Sequence, residues 1–213
     1  MKKVAFFGGT GGLGSQVISH LQDYEVNAVG SRSVNFEGQY DIENYFHRNP
    51  ETDVVVIFTN YNHNSFLHKY TDSQDQLKKQ IDINIFGVTK CISYALKYMR
   101  NRGYGRIILA SSITVDRNVM GTSVYAATKA YYENLVKTIS LENASKGITA
   151  NCIQLGYMDG GLTYTLSEDF IKETVNQIPT KRLGTPLEIA NTIKFLVENE
   201  YVNGTTIKLT GGL

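Results

Sequence analysis

The chain has 213 residues, 42% hydrophobic and 19% charged, with a formal net charge of +1. That length suits one sizeable core, so a single domain over 1–213 is expected. The near-neutral balance argues against general attraction to nucleic acid or an anionic membrane, and no apolar run approaches the ~20 residues of a membrane span. After Met1-Lys2-Lys3 the apolar run is far too short for a signal peptide, and glycines follow at once. Cys91 and Cys152 lie in apolar patterns and read as buried free thiols, which fits a reducing, cytoplasmic setting. The four histidines offer no ligand spacing, so no metal site is expected.

Val4-Ala5-Phe6-Phe7 is a continuous apolar run, the pattern of a strand buried on both faces. Gly8-Gly9-Thr10-Gly11-Gly12-Leu13-Gly14 follows, and Val17, Ile18 and Leu21 then share a helical face. Strand, glycine loop and helix together form a phosphate-binding context. Without side chains, backbone N–H groups can approach a pyrophosphate, and the helix N-terminus favours negative charge. Val26–Val29 predicts the second strand, ending in Gly30-Ser31-Arg32-Ser33. No acid is present there to meet a ribose 2′-OH, whereas Arg32 can pair with a 2′-phosphate and Ser31 can donate to it. On charge, NADP(H) is favoured over NAD(H).

Between Arg32 and Asp41 the chain is too short for a crossover helix, and a loop or short strand is expected. Asp53–Phe58 is the next buried strand, and Thr59-Asn60-Tyr61-Asn62 is a polar turn at its C-terminal end, where open parallel sheets place ligands. Gln74–Arg100 reads as one long helix, with the polar Asn84 in its middle. Arg106–Ala110 is a strand, Val124–Lys146 a helix and Ile148–Leu155 a strand. Thr185-Pro186-Leu187-Glu188 is a helix start with a capping box, and Thr205–Leu209 is a last strand. This alternation predicts an α/β fold, a doubly wound Rossmann-type parallel sheet of about seven strands with helices on both faces.

The chemistry concentrates in Ser111–Lys129. Ser112 lies thirteen residues before Tyr125, and Lys129 four after it, on one helical face. An ammonium beside a phenol is expected to pull its pKa down from ~10 towards a working range. Ser112 adds a hydroxyl for a substrate oxygen, so the three residues read as a proton-transfer centre for a carbonyl/alcohol pair.

Taken together these residues resemble the short-chain dehydrogenase/reductase family over nearly the whole chain. Its glycine pattern is matched by Gly8, Gly12 and Gly14, and its adenine-contacting Asp-aliphatic pair by Asp41-Ile42. Its active-site Asn is matched by Asn84, in Asn-Ile-Phe-Gly, and the rest of its tetrad by Ser112, Tyr125 and Lys129. The stretch from Ile178 to Gly212 is similar to the β-ketoacyl-acyl-carrier-protein reductase branch. The resemblance implies an NADPH-dependent carbonyl reductase, with Tyr125 donating the proton and Ser112 bonding the carbonyl oxygen. Lys129 would hold the ribose and Asn84 a water in a proton relay. Cofactor contacts are expected from Gly8, Thr10, Gly11, Gly12, Leu13, Gly14, Ser31, Arg32, Asp41, Ile42, Asn60, Tyr125, Lys129, Gly156 and Met158. The substrate is expected to be a small or carrier-bound carbonyl compound.

Departures from the family pattern bear on the substrate. Phe7 stands where Thr is usual, Asn60-Tyr61-Asn62 replaces Asn-Ala-Gly, Leu155-Gly156 replaces Pro-Gly, and Gly160 replaces a carboxamide-binding Thr. The 33–50 segment is also shortened. A 3-oxoacyl thioester is the leading substrate, with a keto-sugar or other small ketone as the alternative. A nonenzymatic NADP(H)-sensing module should have lost the tetrad, and a sugar-nucleotide epimerase needs more chain than the ~35 residues after Pro179. Tyr94, Tyr98, Tyr131, Tyr132 and Val136 fall outside one core stripe on the two long helices, so a homodimer or homotetramer is expected.

Overall fold

The computed structural model describes residues 1–38 and 40–213, Leu162 in its backbone alone. The apolar runs become strands β1 (Lys3–Phe7), β2 (Glu25–Val29), β3 (Val54–Ile57), β4 (Gly105–Ser112), β5 (Ile148–Leu155) and β6 (Thr206–Leu209). The helices are α1 (Gly12–Ile18), α2 (Asp41–Arg48), α3 (Gln74–Ile81), α4 (Val88–Arg102), α5 (Ser123–Asn143), α6 (Glu168–Gln177) and α7 (Pro186–Glu198). Among the described residues six strands form one sheet, ordered β2-β1-β3-β4-β5-β6 and parallel throughout. The order reverses beside β1, so the crevice at the strands' C-terminal ends lies between the loops after β1 and β3.

The period of two sorts side chains between two cores. Ala5, Phe7, Val55 and Ile57 meet Ile42, Phe46, Val88, Ile92 and Met99 on one face. Val4, Phe6, Val54 and Val56 meet Val17, Leu21, Ile189 and Leu196 on the other. No helix of the described residues is long and apolar enough to cross a membrane. Cys91 and Cys152 are buried and free.

The sheet has six strands among the described residues, not about seven. Beyond β2 the chain turns instead of pairing, and it drives Val34 and Phe36 into the first core, where Phe36 packs edge-on against Phe7 at 5.6 Å. Two buried side chains thus stand in for a strand that the shortened segment cannot make.

The helix expected over Gln74–Arg100 is interrupted: Asp82–Gly87, between α3 and α4, is a π-helical turn. A Cβ on Gly87 would come within 2.7 Å of the Phe36 side chain, so the glycine admits the inserted loop. The expected capping box at Thr185 and Glu188 starts α7, and α6, which the sequence pattern did not single out, starts on the Ser167 side chain.

Two of the residues expected outside the core are inside it: Tyr132 and Val136 are fully buried on α5. Tyr131 and Tyr98 are half-buried, with their hydroxyls on Thr89 at 2.6 Å and His47 at 2.7 Å. The apolar stripe of α5 is wider than one helical face because the helix packs against both the sheet and its neighbouring helices.

Candidate active site

Tyr125 and Lys129 sit in the first two turns of α5, which packs across the C-terminal ends of β4 and β5. Ser112 is the last residue of β4, so the strand brings its hydroxyl to the first turn of α5. The Ser112 hydroxyl lies beside the Tyr125 phenol and favours its charged form. The Ser112 oxygen also accepts from the Thr114 hydroxyl at 3.0 Å and the Thr114 N–H at 3.3 Å. With its acceptor side so filled, the serine proton is free to point at the phenol oxygen.

Lys129 is buried, and its ammonium donates to the Ala110 carbonyl at 2.9 Å. It lies 5.6 Å from the centre of the Tyr125 ring and 4.7 Å from that of Tyr132. Burial disfavours its charge and brings its pKa down to about 7.

The expected lowering of the phenol pKa is not what the geometry produces. Burial pushes the Tyr125 phenol up, and the pull in the other direction comes from the Ser112 hydroxyl beside it. Both members of the Tyr–Lys pair lose water on folding, so desolvation opposes the charge on each.

Asn84, in the π turn, is fully buried and grips the backbone of Tyr61: its Oδ1 accepts the Tyr61 N–H and its Nδ2 donates to the Tyr61 carbonyl, both at 2.8 Å. A longer bond of 3.5 Å runs to the Thr128 hydroxyl. Both donors and one acceptor position of the amide are therefore used, so the side chain is first a clamp on the loop after β3. Gln80, one turn earlier and also buried, accepts the His63 N–H at 2.9 Å and extends the grip.

The glycine loop is shaped by close approach. Gly8 has φ +89°, and a Cβ there would lie 2.7 Å from the Thr59 nitrogen. A Cβ on Gly14 would strike the Gly8 carbonyl oxygen. The loop thus presents bare backbone beside the turn after β3, where the Asn60 Oδ1 is buried without a partner among the described residues. An exposed backbone cradle beside an acceptor in search of a donor fits a dinucleotide.

Residues 42–213 match the family described as enoyl-(acyl carrier protein) reductase. The chain belongs to the short-chain dehydrogenase/reductase family. It is 38% identical over 135 residues to the 3-oxoacyl-acyl-carrier-protein reductase FabG of Staphylococcus epidermidis, a stretch covering 62% of this chain and 55% of that protein. It is 35% identical over 163 residues to the acetoacetyl-CoA reductase of Shinella zoogloeoides, covering 75% and 67%. The chain therefore matches only about half the length of the first of these relatives. A solved short-chain dehydrogenase/reductase family protein superposes with a TM-score of 0.86 over 99% of this chain and 96% of its own, at 22% identity, and so shares the fold.

Ile42, Asp41, Met158 and Gly156, expected as cofactor contacts, also hold the fold together. Ile42 is fully buried on the inward face of α2, among the first core's residues. The Asp41 carboxylate accepts the Asn35 N–H at 3.0 Å and so closes the shortened loop. Met158 is buried in the second core and pairs its backbone with Gly184. Gly156 donates its N–H to Leu209 at 2.9 Å. Ser31, Arg32 and Thr10 are exposed beside the end of β2, and the side chain of Thr10 fills the space that a Cβ on Gly30 would take. Leu13 packs under Gly161, which brings the chain after β5 over the first turn of α1.

Some residues around the site escaped the sequence pattern. Glu133, two turns beyond Tyr125, accepts from the Ser111 hydroxyl at 2.5 Å and the Gln154 amide at 3.1 Å, and so ties α5 to β4 and β5. Its four-residue step from Lys129 was a readable signal. The bonds of Thr114 and Gln80 were not, because they depend on loops folding back.

Proposed function

We propose that the chain is an NADP(H)-dependent carbonyl reductase acting on a 3-oxoacyl thioester, with Ser112, Tyr125, Lys129 and Asn84 as its active site. The observation carrying this reading is the Ser112 hydroxyl set beside the Tyr125 phenol and a buried lysine at the C-terminal edge of the sheet. Two adjacent hydroxyls can both turn to a carbonyl oxygen, and that arrangement suits C=O better than C=C reduction.

Backbone N–H groups of Gly8–Gly14 would hold the pyrophosphate, Asn60 would accept from the adenosine ribose, and Arg32 would pair with the 2′-phosphate. When bound, a reduced nicotinamide supplies a hydride to the carbonyl carbon. Ser112 orients the oxygen and stabilises its growing negative charge. Tyr125 holds its proton at neutral pH, since burial raises its pKa, and delivers it to that oxygen. Lys129 would hold the nicotinamide ribose, and Asn84 keeps the loop carrying Asn60 and Tyr61 at its height. The relatives named for 3-oxoacyl and acetoacetyl-CoA reduction support this substrate class. We further propose one domain over the whole chain, assembled as a homodimer or homotetramer.

The test follows NADPH absorbance with acetoacetyl and longer 3-oxoacyl thioesters, simple ketones and keto-sugars. Turnover of thioesters that Tyr125→Phe abolishes is expected. Turnover of none, or undiminished turnover by Tyr125→Phe, overturns the reading.

A further inference from the structure

An open cavity of about 370 Å³ lies beside the hydroxyl pair. Thr114, whose hydroxyl bonds Ser112, forms part of its wall, and so does Ala126, the residue after Tyr125. The rest is dominated by Phe66 and Leu67 from the segment after β3 and by Val119 and Met120 from the loop before α5. We propose that this cavity is the subsite for an unbranched apolar arm of the substrate, and that Phe66, Leu67, Val119 and Met120 set the length and polarity that it accepts. The inference rests on the carbonyl-reductase reading and deepens it by choosing between the acyl and sugar substrates.

Three features carry it. First, the four apolar side chains are left in water: Met120 is 86% exposed, Leu67 65%, Phe66 48% and Val119 40%. Exposed apolar surface gathered around one mouth marks a place where apolar ligand is taken up, and a chain laid along it removes that surface from water.

Second, the walls are braced. The Ser65 N–H donates to the Gly121 carbonyl at 2.8 Å, joining the two loops, and the Thr122 hydroxyl donates to the Val119 carbonyl at 2.8 Å. Phe66 is stacked on His68 at 5.9 Å, with the Lys69 ammonium 5.7 Å from its ring centre. The pocket is therefore largely formed before a ligand arrives.

Third, the lining has little to offer a polyol. It contains no charged side chain among the described residues, the Thr114 and Thr122 hydroxyls already donate within the protein, and its other polar side chains, Asn118 and Ser123, are exposed. A keto-sugar laid there would turn hydroxyls against the carbon surface of Phe66, Leu67, Val119 and Met120, and hydroxyls left without partners are penalised.

The experiment measures kcat/KM for the four-carbon and eight-carbon 3-oxoacyl N-acetylcysteamine thioesters, on the full chain and on Leu67→Asn/Met120→Gln. Both positions are solvent-exposed, so the variant keeps its core. The native chain is expected to prefer the longer substrate by at least about tenfold, a fraction of what four buried methylenes provide. The variant should reduce that ratio towards one, mostly through KM. Equal or poorer use of the longer substrate, or an unchanged ratio in the variant, overturns the subsite. If neither thioester is reduced, the thioester reading itself falls. The subsite is then judged by displacement of bound parinaric acid with butanoate and octanoate. Octanoate must compete at least about tenfold better in the native chain and lose that advantage in the variant; any other result overturns it.

Discussion

The two sides of the sheet are built to different standards. β4 and β5 pair over eight residues each, and their first seven positions are all buried. β2, at the edge, pairs over five residues with only Val29 buried, and past it the chain closes with a loop held by Asp41 and plugged by Phe36. The proposed catalytic groups stand on the first side, where proton transfer needs positions held to fractions of an ångström. The adenosine end of the proposed cofactor lies on the second, where backbone N–H groups and a single arginine suffice. A missing strand is tolerable there because what it supplied was burial, and Val34 and Phe36 restore that.

The comparison breaks most visibly at Tyr125. Tyr125→Phe removes one hydroxyl on the rigid side, and turnover is expected to fall ~10²–10⁴-fold with NADPH affinity unchanged. Turnover and a fluorescence titration on the same preparation check it, and retained turnover would deny the phenol its role.

Gly14→Ala probes the cofactor side at its one rigid point. Its Cβ strikes the Gly8 carbonyl oxygen, and overpacking of this kind costs ~1–3 kcal/mol. A lower melting temperature and NADPH binding weakened at least about tenfold are expected, by thermal melts and titration. An unaffected Kd would show that the loop does not hold the cofactor.

Asn84→Ala sharpens the contrast by loosening the link between the two sides. It orphans the Tyr61 N–H and carbonyl, at ~1–3 kcal/mol for a buried unsatisfied group. Hydrogen exchange should rise at Tyr61–His63 before it rises in β4, and uniform exchange across both would assign Asn84 no special clamp.

Lys129→Met tests the buried amine by its pH dependence. Its folded pKa of about 7 lies below the ordinary 10.5, so between those values the unfolded chain binds more protons and wild-type stability rises with pH. Below about 7 both states hold the proton and the slope vanishes. Relative to Lys129→Met, the native chain should gain ~1–3 kcal/mol between neutral pH and about pH 9 in urea melts. Parallel curves would mean that the amine stays charged when buried.

The smallest effect belongs to the edge. Arg32→Ala should weaken NADPH binding by ~1 kcal/mol and leave NADH binding nearly unaltered, since Arg32 is exposed and its charge is screened. Equal losses for both cofactors would remove the 2′-phosphate assignment.

The strands, their alternation with helices and the face shared by Tyr125 and Lys129 were legible in the sequence, because each follows from local periodicity: two for strands, 3.6 for helices. The capping box at Thr185 and the glycine loop were legible for the same reason, each being a short motif with its own geometry. What the tertiary structure alone decided lies between segments distant in the chain. Phe36 meets Gly87 across the first core, Asn84 clamps Tyr61, and Leu67 faces Met120 across a cavity. The direction in which the phenol titrates belongs there too. Spacing places a lysine beside a tyrosine, but only packing determines how much water each one loses, and here desolvation opposes the charge on both.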